Sequence, residues 1–366
     1  MAKKLMKGNE AIGEAAIQAG CRHYFAYPIT PQTEVAEYLA RRMPEVDGVF
    51  LQAESEVAAS NMLFGASSAG VRTFTSSSSP GISLMSEAIS YIAGAQLPVV
   101  FINIVRGGPG LGGILPAQSD YFQATKGGGH GDYHLLVFGP STVQEAVDHV
   151  ILAFELADKY RNPVMVLGDG MIGQMMEPVA FPAADVSPPP PKPWATVGMK
   201  NRPQNLIRSL FLNPDELEQN NLELRAKYDA MERDEVRFES YLTDEDMDVL
   251  VVAYGTMARI AKTAIDALRE GGKRVGLLRP ITLFPFPRQA VREAAGRAKS
   301  VLAVELSTGQ MVEDVHWAAP DGMPVYFFGK VGGNIPAPED ISDEISKVLD
   351  GRATRHGVEP RPEEAS

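Results

Sequence analysis

Residues able to do chemistry gather in four short stretches: Thr30 between Pro28 and Pro31, the carboxylates Glu54 and Glu56, the serine run Ser76–Ser79, and Arg106. Arg106 is followed by Gly107-Gly108-Pro109-Gly110-Leu111-Gly112-Gly113. At such a bend a guanidinium can hold a carboxylate or phosphate in a bidentate fork, and a surface arginine beside a flexible loop reads the same way. Thr30, held between prolines, presents its hydroxyl and backbone to an anion, or is a turn residue chosen for its conformation. Glu56 precedes a run of small residues at helical spacing. A carboxylate buried there suits sharing a proton with a heterocyclic nitrogen; charge complementarity at a helix N-terminus is the plainer role. Spacing alone does not separate Glu54 from Glu56.

Each stretch follows a strand signal. Strands are expected over 24–27, 49–52, 71–75, 98–105 and 163–167, and helices over 9–19, 32–43, 54–69, 82–93 and 143–158. Gly20 is the left-handed cap of the first helix. The run 98–105 is almost wholly apolar, as a strand buried on both faces of a parallel sheet should be. Alternating strands and helices predict right-handed βαβ units in a doubly wound α/β sheet. In such a sheet ligands bind beyond the carboxyl ends of the strands, where Thr30, Glu54, Glu56, the serines and Arg106 can share one rim.

Past Pro178 the composition shifts. Residues 187–193 are a polyproline boundary, and 214–241 read as one charged helix. A second α/β unit starts near 247, with strands over 249–254, 274–278, 300–305 and 325–328 and helices over 256–270, 288–298 and 311–318. The expected division is therefore 1–182, a linker and charged segment over 183–246, a second domain over 247–350, and a frayed polar tail over 351–366.

The chain has 366 residues, enough for two cores. Its net charge of −12 argues against a nucleic-acid partner held by a basic surface. With one cysteine, Cys21, it lacks the thiolates for a disulfide, a conventional thiolate zinc site or an iron–sulfur cluster of its own. The basic start has no apolar run behind it and no segment reaches membrane-spanning length, so a cytoplasmic protein is expected. Gly108–Gly113 matches a dinucleotide fingerprint only loosely. His130, within Gly127-Gly128-Gly129-His130-Gly131-Asp132, is a cleft acid or base or, preferably, a residue of a flexible turn. The other histidines lack metal-ligand spacing, and the 15 methionines suit core filling.

Together the motifs resemble the alpha subunit of thiamine diphosphate-dependent 2-oxoacid:ferredoxin oxidoreductases. The likeness is carried by Tyr27-Pro28-Ile29-Thr30-Pro31, Glu54-Ser55-Glu56-Val57-Ala58-Ala59, the serine-rich 75–81, Val105-Arg106-Gly107-Gly108-Pro109-Gly110 and the glycine-rich 127–132. It continues in the second unit through 252–256, Arg279-Pro280-Ile281-Thr282-Leu283 and 305–311. The branched-chain (2-oxoisovalerate) type is nearest and the 2-oxoglutarate type next. The resemblance implies a pyrimidine-binding domain over 1–182 and a transketolase C-terminal-like domain over 247–350. It assigns the cofactor diphosphate, Mg²⁺ and 4Fe–4S clusters to partner subunits: a beta subunit, with gamma and small ferredoxin-like delta subunits completing the complex. Coenzyme A is the implied co-substrate and ferredoxin the acceptor. Residue by residue, Glu56 matches the glutamate that hydrogen-bonds the pyrimidine nitrogen and favours its imino tautomer. Thr30 and Arg106 match positions receiving the substrate carboxylate and keto oxygen, and Pro28 matches a backbone contact to the pyrimidine. Glu54 departs from some members, which have no acid there.

Overall fold

The computed structural model describes residues 3–182 and 189–357. The first half runs β1 (Lys4–Lys7), α1 (Gly8–Gln18), β2 (His23–Ala26), α2 (Thr33–Glu45), β3 (Val49–Gln52), α3 (Glu56–Ser68), β4 (Thr73–Ser77), α4 (Ser79–Gly94) and β5 (Val100–Val105). It continues through α5 (Tyr121–Thr125), β6 (Leu136–Phe138), α6 (Val143–Tyr160), β7 (Val164–Asp169), α7 (Gly170–Gln174) and β8 (Met176–Val179). Then come α8 (Pro214–Asp234), β9 (Phe238–Tyr241), β10 (Val249–Ala253), α9 (Gly255–Glu270), β11 (Val275–Pro280) and β12 (Thr282–Phe284). The chain closes with α10 (Arg288–Ala295), β13 (Val301–Glu305), α11 (Met311–Ala318), β14 (Val325–Gly329) and α12 (Pro338–Leu349).

β5 and β7 sit near the centre of a seven-stranded sheet ordered β12-β6-β7-β5-β4-β2-β3, parallel except for β12. Every residue of Val100–Val105 is buried, which is why this strand reads as an unbroken apolar run. From β2 the chain passes through α2 to the edge strand β3, whereas from β4 it passes through α4 the opposite way to β5. The gap between β2 and β4 is therefore the switch point of the sheet, where a crevice opens beyond the strand ends.

A second sheet, β14-β13-β10-β11-β9, is parallel except for β9. Two strands join sheets outside the unit order of the chain. β12, from the second unit, pairs with β6 at the edge of the first sheet. β9, from the segment before that unit, pairs with β11 in the second.

The charged segment over 214–241 is accordingly not one helix. α8 stops at Asp234, because the buried Glu235 draws Lys159, Tyr160 and Arg237 onto its carboxylate and turns the chain into β9. Of the polyproline boundary, residues 187–188 lie outside the described residues. The part that follows is fastened to the sheet domain rather than free: Lys192 pairs with the buried Asp158 at 2.6 Å, and Thr196 N donates to Ser68 O at 2.8 Å. Of the expected frayed tail, 358–366 lie outside the described residues. The stretch before them is held: His356 N donates to Val325 O at 2.9 Å, and Arg355 bridges Tyr326. Gly20 adopts the expected left-handed conformation, φ +77°. Among the described residues no helix is long and apolar enough to cross a membrane.

Candidate active site

Four loops meet at the switch point. α3 begins where Ser55 caps it, its hydroxyl accepting from Ala58 N at 3.2 Å. That cap fixes Glu56 as the first helical residue, only 5% exposed, while Glu54 outside the helix is exposed. The fold thus separates two carboxylates that spacing could not. The Glu56 carboxylate points at Gly81 in the first turn of α4. Among the described residues it makes no hydrogen bond.

Pro28 is half-buried and Thr30 exposed on the loop after β2. This loop is pinned from below, since Pro31 O accepts from Asn9 Nδ2 at 2.8 Å and from Gln174 Nε2 at 3.0 Å. Arg106, leaving β5, is buried and donates from Nη1 to Thr30 O at 2.9 Å and from Nη2 to Leu111 O at 3.3 Å. Its Nε is buried with no partner. The glycine-rich loop beyond folds back on itself, Gly113 N donating to Gly107 O at 2.8 Å. Gly112 is required there: φ is +55°, and a Cβ would fall 1.8 Å from Gly107 O.

The serine run splits by strand alternation. Ser76 faces Tyr24 and Gln32, with its hydroxyl 2.7 Å from Tyr24 Oη and 2.5 Å from Gln32 Oε1. The hydroxyls of Thr75, Ser77 and Ser78 are buried without partners. Ser79 Oγ contacts the backbone N and O of Arg106 at 3.2 and 3.3 Å, joining α4 to β5.

Two further polar residues lie beneath, Asn103 and Asp120, with Asn103 Nδ2 donating to Asp120 Oδ2 at 2.9 Å. Burial pushes the Asp120 carboxyl above its ordinary range, against hydrogen bonds from Ser79 and Asn103 that pull it down. Neither was singled out from the sequence. The available signal for Asn103 is a polar side chain inside the apolar run Val100–Val105.

The structure therefore brings Pro28, Thr30, Glu56 and Arg106 to one crevice. It does not bring His130 there. That residue sits on an exposed loop whose carbonyl accepts from Ser90 Oγ at 2.6 Å, against Tyr91 near the far end of α4. Cys21 is fully buried, and burial pushes its thiol up to about 12. Among the described residues no cluster of three or more His, Cys, Asp or Glu could hold a metal ion.

A buried, unpartnered carboxylate has one use for the proton donor it lacks: a ligand that brings one. Arg106 Nε adds a buried N–H without a partner at the same place. The donor set fits a nitrogen heterocycle at Glu56 and an oxyanion near Arg106 and Thr30. Residues 14–240 match the family described as pyruvate flavodoxin/ferredoxin oxidoreductase, thiamine diphosphate-binding, and residues 247–341 match pyruvate:ferredoxin oxidoreductase core domain II. The chain belongs to the 2-oxoacid:ferredoxin oxidoreductase family.

Among its relatives in the family, ketoisovalerate oxidoreductase subunit VorB of Methanothermobacter marburgensis is 48% identical over 348 residues, 95% of this chain and 98% of that one. The 2-oxoglutarate synthase subunit KorA of Methanothermobacter thermautotrophicus is 36% identical, over 94% of this chain and 98% of its own. A solved 2-oxoglutarate:ferredoxin oxidoreductase from Magnetococcus marinus, with 2-oxoglutarate, coenzyme A and succinyl-CoA bound, superposes with a TM-score of 0.86 at 26% identity. That match covers 95% of this chain but only 65% of the other. A split-gene transketolase shares the fold, with a TM-score of 0.60 at 17% identity. The family resemblance and the fold class expected from the motifs, a thiamine diphosphate-binding domain plus a transketolase C-terminal-like domain, are borne out.

Proposed function

We propose that this chain is the alpha subunit of a 2-oxoacid:ferredoxin oxidoreductase, active only with its partner subunits in the cytoplasm. The complex oxidatively decarboxylates a branched-chain 2-oxoacid to its acyl-CoA and passes the electrons to ferredoxin. The observation that carries the reading is the buried Glu56 carboxylate, without a hydrogen-bond partner among the described residues, in the same crevice as Thr30 and Arg106. Thiamine diphosphate, when bound, supplies a carbon nucleophile and accepts the electron pair left as carbon dioxide departs. Glu56 shares a proton with the pyrimidine nitrogen, and the backbone at Pro28 abuts the same ring. Thr30 and Arg106 receive the substrate carboxylate and keto oxygen, the guanidinium through charge-assisted hydrogen bonds.

The diphosphate, Mg²⁺ and 4Fe–4S clusters belong to the beta subunit and its companions. A chain with one cysteine has no thiolate set for a cluster. Gamma and delta subunits complete the complex. Residues 1–182 act as the pyrimidine-binding domain and 247–350 as the transketolase C-terminal-like domain, with β12 of the second paired to β6 of the first. Likeness to a ketoisovalerate oxidoreductase subunit supports the branched-chain substrate. Likeness to 2-oxoglutarate synthase subunits supports 2-oxoglutarate as the second reading. Reconstitution with the partner subunits, coenzyme A and a viologen acceptor tests both. The highest kcat/KM is expected with 2-oxoisovalerate; no turnover of any 2-oxoacid would refute the proposal.

A further inference from the structure

Gly81 lies buried in the first turn of α4. A Cβ there would meet Ser77 Oγ at 2.0 Å, Glu56 Oε1 at 2.7 Å and Glu56 Cγ at 3.0 Å. The serine hydroxyl and the glutamate carboxylate thus flank one point, with only the missing side chain of Gly81 between them. Ser77 ends β4, and its hydroxyl is fully buried without a partner. Glu56 is buried too and accepts no hydrogen bond among the described residues. Strand alternation turns Ser76 the other way, toward Tyr24 and Gln32, so Ser77 is the serine that faces Glu56. A fully buried donor without a partner, set beside a charged acceptor, is costly to maintain unless the two are used together.

Resting on the proposed function, we infer that Ser77 and Gly81 form the seat of the Glu56 carboxylate. Gly81 leaves the space the carboxylate occupies. In the loaded complex the Ser77 hydroxyl, unbonded in this structure, turns to donate to one carboxylate oxygen and so aims the other at the cofactor's ring nitrogen. Ser77 is a positioning residue, acting through Glu56.

The test compares Ser77→Ala and Gly81→Ala by two readouts. One is hydrogen–deuterium exchange at the thiazolium carbon in the reconstituted complex loaded with thiamine diphosphate. The other is thermal unfolding of each full chain alone. Ser77→Ala should slow exchange roughly ten- to a hundredfold, the effect of one hydrogen bond to a charged group. Its melting temperature should stay level or rise, because a buried unpaired hydroxyl is removed. Gly81→Ala should slow exchange at least as much and melt lower, since the new methyl must displace both neighbours. Wild-type exchange in Ser77→Ala would overturn the seat, as would slow exchange accompanied by a clear drop in its melting temperature, which marks a structural role. A wild-type complex exchanging no faster than free thiamine diphosphate would instead sink the proposed function itself.

Discussion

Arg106 has two jobs to separate, and lysine at that position separates them. The guanidinium joins the loop after β2 to the glycine-rich loop through Thr30 O at 2.9 Å and Leu111 O at 3.3 Å, and keeps a buried Nε–H in reserve. A lysine retains the charge but not the planar fork, so it can satisfy one of those carbonyls at most. Losing one charge-assisted hydrogen bond costs about 1.5–3 kcal/mol, or roughly 10- to 150-fold in kcat/KM. Both carbonyls belong to the protein and not to the substrate, so the loosening is indifferent to the substrate side chain. If the guanidinium also grips the carboxylate that all 2-oxoacids share, Arg106→Lys raises KM by a similar factor for 2-oxoisovalerate, 2-oxoglutarate and pyruvate. Arg106→Ala is worse and equally indiscriminate, because it releases both loops. Steady-state assays of the reconstituted complex with the three acids and a viologen acceptor measure this. A defect confined to 2-oxoglutarate would refute the reasoning, assigning Arg106 to the distal carboxylate and making 2-oxoglutarate the leading substrate.

Glu56→Gln should slow thiazolium exchange by about 10²–10⁴-fold with assembly intact, while Glu54→Gln, at an exposed position, should exchange like the wild type. If, as proposed, a partner subunit holds the diphosphate, the chain alone should bind thiamine diphosphate poorly; tight Mg²⁺-dependent binding in calorimetry would contradict the shared site. Arg279, its side chain 3% exposed, links Glu145 at 2.7 Å to Glu239 at 2.8 Å and so ties α6 to β11 and β9. Arg279→Leu removes the shared partner of two partly buried carboxylates, leaving Glu145 to Ser141 and Glu239 to Lys262, and should cost about 1.5–3 kcal/mol in urea unfolding. Burial pushes His149 from 6.5 down to about 4, against the pull of Glu145. Between those values the unfolded chain binds a proton that the native one does not, so stability from this residue falls as pH drops from 6.5 toward 4. His149→Phe should flatten that stretch of the stability–pH curve, and an unchanged slope would argue against the buried neutral imidazole.

Most of the parallel strands are legible from the sequence because burial on both faces turns them into apolar runs, as in Val100–Val105. The helices between them show their 3.6-residue spacing. The elements that escape such reading are those whose reason for existing lies elsewhere in the chain. β6 and β12 have three residues each, too few to show a period, and exist because Leu136–Phe138 and Thr282–Phe284 complete an edge together. β9 looks like the end of a charged helix until Glu235 stops α8 and β11 offers an edge. Local propensity has no access to either partner.

The same division runs through the site. Residue types and their places after strands are local, and they lead to Thr30, Glu56 and Arg106. Choosing Glu56 over Glu54 is not local. Both lie where a helix is expected to start, and only the Ser55 cap and the packing of α3 against α4 put Glu56 inside it, buried at Gly81. The Arg106–Thr30 contact joins residues 76 positions apart. What relates them is topology: α2 and α4 leave neighbouring strands in opposite directions, so the loops at that point cannot cover the strand ends, and the crevice between them must be filled by side chains or by a ligand. Here the side chains leave a carboxylate and a guanidinium N–H unsatisfied among the described residues. On the proposed function, a 2-oxoacid held beside a nitrogen heterocycle supplies a partner for each.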